Sequence, residues 1–216
     1  MPPRHEGREW ESHQDADRSI KRYFHDLSEL IIQLPYESIG SIVAVLLESF
    51  AEERTVFVFG NGGSAAGASH MMCDINKGAG EVGTGKRPRV MALTDNASLI
   101  TAWANDFGYE RIFSEQLKTF VKPRDVAFAI STSGDSPNVL LALETAREYG
   151  ALTVGLGGCQ GGQMKSLCDV CAIIPSANVQ LVEDLHHAMI HSISLAVRES
   201  LLNGSAKSLM ARAASF

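Results

Sequence analysis

The segment VFVFGNGGSAAGASHMMCD, residues 56–74, changes character twice, from an apolar run to a glycine turn to a helix. Val56 to Phe59 reads as a buried strand, Gly60, Asn61, Gly62 and Gly63 as a tight turn, and Ser64 as a helix start. Glycines at such a turn adopt positive φ and let backbone approach a ligand, while a serine at a helix start both caps and donates. Free N–H groups and the helix dipole favour a phosphate or carboxylate there without a cationic side chain. The turn lacks the third glycine of G-x-G-x-x-G in register and the Gly-Lys-Ser/Thr of a phosphate loop, so neither nucleotide motif is present. Farther along the same helix, His70 and Asp74 stand four apart on one face.

A second strand–loop–helix unit follows. VAFAI, residues 126–130, leads into Ser131, Thr132, Ser133, Gly134, Asp135, Ser136, Pro137 and Asn138, and then a helix over 138–149. One Ser or Thr would be an ordinary turn or cap residue. Four hydroxyls in six positions, between an apolar strand and a helix N-terminus, predict a phosphate cradle. Strands over 90–93, 152–156 and 170–174 alternate with helices over 97–104, 109–120 and 163–167. Thr94, Asp95 and Asn96 cap the helix that begins at residue 97, Asn105 to Gly108 form a turn, and residues 77–89 form a loop rich in glycine and charge. The alternation predicts right-handed crossovers and a parallel sheet with helices on both faces, a three-layer α/β/α fold. Ligands bind outside the carboxyl ends of such strands, where both serine-bearing loops lie.

Upstream, Ile20, Phe24, Leu27, Leu30, Ile31 and Leu34 fall at helical spacing over 17–34, and Pro35 interrupts the pattern. A helix over 38–52 carries more apolar surface than one face of a sheet covers, so part of it is expected to meet another subunit. A single domain over 17–202 is expected, with a disordered lead over 1–16 and a mobile tail over 203–216. The last helix, over 182–202, opens with Glu183, Asp184, Leu185, His186 and His187 and continues to His191. Glu183, His187 and His191 follow an i, i+4, i+8 rule that suits metal binding or acid–base work, whereas a lone histidine would read as a core or interface residue.

With 216 residues, 45% hydrophobic, 20% charged and net charge −6, the chain has the composition of a soluble globular domain. No basic stripe suits a nucleic acid, no apolar run suits a membrane span, and the N-terminus lacks the apolar stretch of a signal peptide, so the cytoplasm is expected. Cys168 and Cys171 have CxxC spacing, which fits a redox pair or half a zinc site. With no second CxxC and an apolar run following, they read as two small core thiols beside a strand.

These residues together resemble the sugar-isomerase (SIS) domain family, and within it the phosphoheptose isomerases acting on sedoheptulose 7-phosphate. The resemblance covers about residues 20–200. It rests on GNGGSAA at 60–66, His70, Asn105-Asp106-Phe107-Gly108, ISTSGxSxNV at 130–139, and the spacing from the acidic cluster to His191. It implies a homotetramer whose N-terminal helices pack into a bundle, with active sites at subunit junctions. Asn61, Gly62, Gly63, Ser64, Asn105 and Asp106 match sugar-contacting positions, and Ser131, Thr132, Ser133 and Ser136 match phosphate-binding ones. His70, Asp74, Glu183 and His191 match the positions that hold a divalent metal, expected to be zinc, with Asp74 and His191 also catalytic and Glu183 also substrate-binding. Three positions depart from the family: Asp74 stands for glutamate, Glu183 for glutamine, and Gly78 for an arginine, with Lys77 beside it. A two-histidine, two-carboxylate site would be harder and more anionic than the usual one. The implied reaction is ketose–aldose isomerisation through an enediol. The alternatives are an isomerase of another ketose phosphate, or a non-catalytic SIS module of the phosphosugar-sensing or replication-initiator-associating type. Retention of the acid–base set favours the enzyme.

Overall fold

In a computed structural model of the chain, the described residues are 12–78 and 87–213. Helices α1 (Ser12–Ile32) and α2 (Tyr36–Ala51) precede β1 (Thr55–Gly60), α3 (Gly63–Gly78), β2 (Arg89–Ala92) and α4 (Ala97–Phe107). A 3-10 turn, Tyr109–Arg111, leads to α5 (Ser114–Phe120), β3 (Val126–Ser131), α6 (Pro137–Glu148), β4 (Leu152–Gly158), α7 (Met164–Leu167), β5 (Val170–Ile174) and α8 (Val179–Ala213). The five strands form one all-parallel sheet in the order β2-β1-β3-β4-β5, as the alternation predicts.

The strands divide their side chains by parity, because successive residues of a strand point to opposite faces. Val56, Val58, Val126, Phe128, Ile130, Val154 and Leu156 meet α2, α3 and α8 in one core. Phe57, Phe59, Ala127 and Ala129 meet α5, α6 and α7 in the other, with Ile100 and Trp103 of α4 at its border. Handedness explains the partition. The chain steps from β1 outward to β2 through α3, then reverses and proceeds through β3, β4 and β5, so right-handed crossovers put α3 on one face and α4 to α7 on the other. The reversal leaves a switch point between β1 and β3, where such sheets bind their ligands.

Several boundaries differ from the sequence reading. Asn105 and Asp106 belong to the last turn of α4 rather than to a free turn, since that helix ends only at Gly108, whose φ is 97°. The predicted helix over 109–120 is split, because Ile112 and Phe113 plunge into the second core between its two parts. The final helix starts earlier than residue 182, at Val179, where the Asn178 side chain accepts from the N–H groups of Gln180 and Leu181. It also continues to Ala213, so 203–213 are helical where a mobile tail was expected. Alanine, lysine, leucine, methionine and arginine there are good helix formers. The expected disordered lead is helical from Ser12, and Lys77 and Gly78, read as the start of a loop, are the last residues of α3. Residues 1–11, 79–86 and 214–216 lie outside the described ones.

Helix α2 is better covered than its composition suggested: Ile42, Leu46 and Phe50 are buried and Ile39, Val43, Val45 and Leu47 partly so. The bare apolar surface is on α1 instead, where Ile20, Phe24, Ile31 and Ile32 are exposed. The bend between α1 and α2 is 69°. No single described helix is long and apolar enough to cross a membrane. Cys168 and Cys171 are half-buried free thiols packed against the second core, and a Cβ on Gly155 would lie 2.8 Å from the Cys168 Sγ. Their mutual hydrogen bond pushes the Cys168 thiol up and holds Cys171 down.

Candidate active site

The two serine-bearing loops meet at the switch point, at the ends of the adjacent strands β1 and β3. Their approach depends on Gly60, because a Cβ there would lie 2.5 Å from the Ile130 carbonyl oxygen. Asn61 locks the loops together. Its Nδ2 donates to Asn138 Oδ1 at 2.8 Å, and its Oδ1 accepts from Asn138 Nδ2 at 2.8 Å and from the Tyr109 hydroxyl at 3.0 Å. Asn61, read from the sequence as a sugar contact, is in the structure a brace between the loops. Asn138 is 2% exposed. Neither Asn138 nor Tyr109 was assigned a role from the sequence, although Asn138 is the asparagine of the motif at 130–139.

In the second loop, Ser131 is buried and its Oγ accepts from the Gly134 N–H at 3.1 Å. The Ser133 Oγ accepts from the Asp135 N–H at 3.2 Å. Ser136 occupies the N-cap of α6 without a capping bond from its side chain, with Pro137 next, so its hydroxyl remains available to a ligand. Asp135 would repel a phosphate, but its Oδ1 accepts from the Gln163 N–H at 2.9 Å and is thereby tied to the neighbouring loop. Thr132, half-buried, completes the hydroxyl run. Asn105 and Asp106 are exposed on α4, and Asn105 Nδ2 donates to Asp106 Oδ1 at 2.7 Å.

Helices α3 and α8 run parallel, and their facing residues keep a constant offset. Gly63 faces Glu183, Gly67 faces His187 and Ile190, and Gly78 faces Arg198. At the intermediate level His70 Nε2 is 2.8 Å from His191 Nε2. Asp74 Oδ2 completes the group at 3.4 Å from His70 Nε2 and 3.7 Å from His191 Nε2. Ligand atoms about 2.0–2.2 Å from a tetrahedral zinc lie about 3.3–3.6 Å from one another, and the three separations bracket that edge. Two imidazoles and a carboxylate with an open side fit a catalytic divalent ion, so the residues present pass the test of chemistry and of spacing.

Glu183 is not part of this group. A Cβ on Gly63 would lie 2.6 Å from its Oε1, so the carboxylate packs on the N-terminus of α3, about two helical turns from the triad. The anion attracted by the first glycine turn is here an internal one, and the predicted four-ligand set reduces to three within one chain. His187 does not replace it: its Nδ1 lies 3.1 Å from the Glu183 carbonyl oxygen and its ring centroid is 6.2 Å from that of His70. His186 is buried, with Nε2 at 3.2 Å from the Gly157 carbonyl oxygen and Nδ1 unpartnered. Desolvation pushes it from 6.5 down to about 4, so it is a neutral core histidine.

The SIS domain family matches residues 22–158. Among curated relatives, the phosphoheptose isomerase of Trichlorobacter lovleyi is 40% identical over 168 residues, covering 76% of this chain and 82% of the relative. That of Pelobacter propionicus is 37% identical over 179 residues, covering 81% and 92%. A solved phosphoheptose isomerase from Neisseria gonorrhoeae superimposes with a TM-score of 0.78 at 25% identity, covering 84% of this chain and 99% of that one. Fold, motifs and relatives agree: the chain belongs to the SIS domain family and, within it, to the phosphoheptose isomerases, a family of aldose–ketose isomerases.

Proposed function

We propose that this protein interconverts sedoheptulose 7-phosphate and a heptose 7-phosphate, D-glycero-D-manno-heptose 7-phosphate or an epimer, through an enediol. The observation that carries the reading is the convergence of His70, Asp74 and His191, in a chain whose relatives are phosphoheptose isomerases. Ser131, Thr132, Ser133 and Ser136, at the N-terminus of α6, hold the phosphate; Asn61, Gly62, Gly63, Ser64, Asn105 and Asp106 position the sugar. Asp74 takes the proton from C1, and the electrons of that C–H bond form the C1–C2 double bond as those of the C2 carbonyl pass to its oxygen, giving an enediolate. The C1 hydroxyl proton passes to the C2 oxygen, and His191 delivers a proton to C2 as C1 becomes the aldehyde. When bound by His70, Asp74 and His191, a divalent ion, zinc in this proposal, polarises the hydroxyl and carbonyl oxygens of the substrate.

The assembly we propose is a homotetramer built through α1, with active sites at subunit junctions. Two features support it: the exposed apolar residues of α1, and the separation of Glu183 from the triad within one chain, which a second copy can make good. Four free cysteines suit a reducing compartment, and the cytoplasm is the proposed one. The test is NMR of the protein with sedoheptulose 7-phosphate in D₂O. We expect a heptose phosphate carrying deuterium at C2, and loss of conversion by about a hundredfold or more in Asp74→Asn. His70→Ala is expected to fold and to lose stoichiometric metal. Binding without turnover or exchange in the metal-loaded wild-type protein would overturn the proposal.

A further inference from the structure

Beyond the triad lies a cavity of about 240 Å³, walled by Asp74 and Gly78 of α3 and by His191, Ser194, Leu195 and Arg198 of α8. Two of the three metal-ligating residues therefore form one side of a space whose far side carries an arginine. The parallel register of the helices puts Arg198 there. It stands seven residues after His191 on the same face of α8, opposite Gly78, which has no side chain to fill the space. The Arg198 stem crosses the end of α3, with Cδ 4.0 Å from where a Gly78 Cβ would be. Ser194, one turn after His191, contributes a buried hydroxyl with no hydrogen-bond partner. Among the described residues Arg198 makes no ion pair, so its charge is not already spent on a neighbouring carboxylate.

An unspent guanidinium lining the cavity, and an unpartnered hydroxyl buried in the wall beside it, suit a negatively charged oxygen. The isomerase reading, on which this inference rests, needs such a group, because removal of the C1 proton leaves negative charge on the C2 oxygen. We propose that Arg198 and Ser194 form an oxyanion wall for the enediolate intermediate. Arg198 offsets the developing charge, and the Ser194 hydroxyl turns out of the wall to donate to the same oxygen. Interactions that strengthen only as charge develops lower the barrier more than they tighten substrate binding.

The test uses the full-length, zinc-loaded protein and glycolohydroxamate, a two-carbon mimic of an enediolate that needs no phosphate site. By calorimetry the wild-type protein is expected to bind it. Arg198→Gln is expected to weaken binding at least about tenfold, and Arg198→Lys and Ser194→Ala by less, with metal content unchanged in all three. On sedoheptulose 7-phosphate, Arg198→Gln is expected to lower kcat on the order of a hundredfold with KM nearly unchanged. Equal hydroxamate affinity in wild type and Arg198→Gln, or no binding by the loaded wild type, overturns the wall. Because glycolohydroxamate binding does not depend on which ketose phosphate is used, failure of the heptulose reaction would overturn the function and leave this test decisive on its own.

Discussion

Asp74 is one methylene shorter than glutamate, yet its Oδ2 stands within 3.7 Å of both imidazole nitrogens of the triad. The reach comes from α8, which leans His191 over α3, and not from the length of the acid. His186 shows the opposite environment a turn and a half earlier on α8. Its Nδ1 is buried without a partner, so protonating it would place a charge in the core. The native form holds this imidazole at about 4, whereas an unfolded chain protonates it near 6.5. Between those values the unfolded state binds more protons, so stability falls as pH drops from about 6.5 to about 4, by about 3 kcal/mol in total. Below that window both states are protonated and this contribution to the slope ends. Urea unfolding of wild type and His186→Gln at pH 7 and pH 4.5 checks this. The wild type is expected to lose about 2–3 kcal/mol more than the variant over that interval, and parallel losses would exclude His186 as the cause.

At the scale of elements, the proposed phosphate cradle depends on how closely two loops approach. Gly134 has φ 71°, and a Cβ there would lie 2.1 Å from the Gly161 carbonyl oxygen, so the β3–α6 loop presses directly on the loop after β4. Met164 reinforces the contact by donating its N–H to the Gly134 carbonyl oxygen at 2.9 Å. Gly134→Ala adds left-handed backbone strain to a backbone clash. We expect it to cost about 1–3 kcal/mol and to move the hydroxyls of Ser131 to Ser136 out of register. Thermal unfolding measures the first effect and titration with inorganic phosphate the second. Unchanged phosphate affinity in a destabilised but folded variant would mean that the loop contact supports the fold without shaping the cradle.

At the scale of the whole molecule, the outer face of α1 is apolar and exposed. Phe24 is 62% exposed and Ile32 76% exposed, on a helix whose Leu27 and Leu30 pack toward the first core. Its tie to the rest of the chain includes the Tyr23 hydroxyl, which donates to Asp184 Oδ2 at 2.7 Å. A charge at Phe24 disturbs little inside the subunit but opposes burial against another copy. Phe24→Glu is therefore expected to keep its circular dichroism while sedimenting as a smaller species, and to lose activity with the assembly. A variant that remained tetrameric would move the interface away from this face.

Alternation of apolar runs with glycine and serine turns was enough to read the parallel sheet and the two loops at its carboxyl edge, because period and turn chemistry are local properties of the chain. His70 and Asp74 were legible as a pair for the same reason, being one turn apart on one helix. The resemblance supplied His191 as their partner. Nothing in local spacing separated His191 from His187 or Glu183, since all three share a face of α8. That choice fell to the parallel packing of α8 on α3, which aligns His191 with His70 and Asp74 and aligns Glu183 with the helix N-terminus at Gly63. The same packing set Arg198 over Gly78 and buried His186, and the junction of β1 with β3 brought Asn61 to Asn138, 77 positions apart. Local sequence thus determined the elements and the kinds of group each loop and helix carries. Only the tertiary structure decided which of those groups share one volume, because side chains distant in sequence meet only through the register of packed helices and strands.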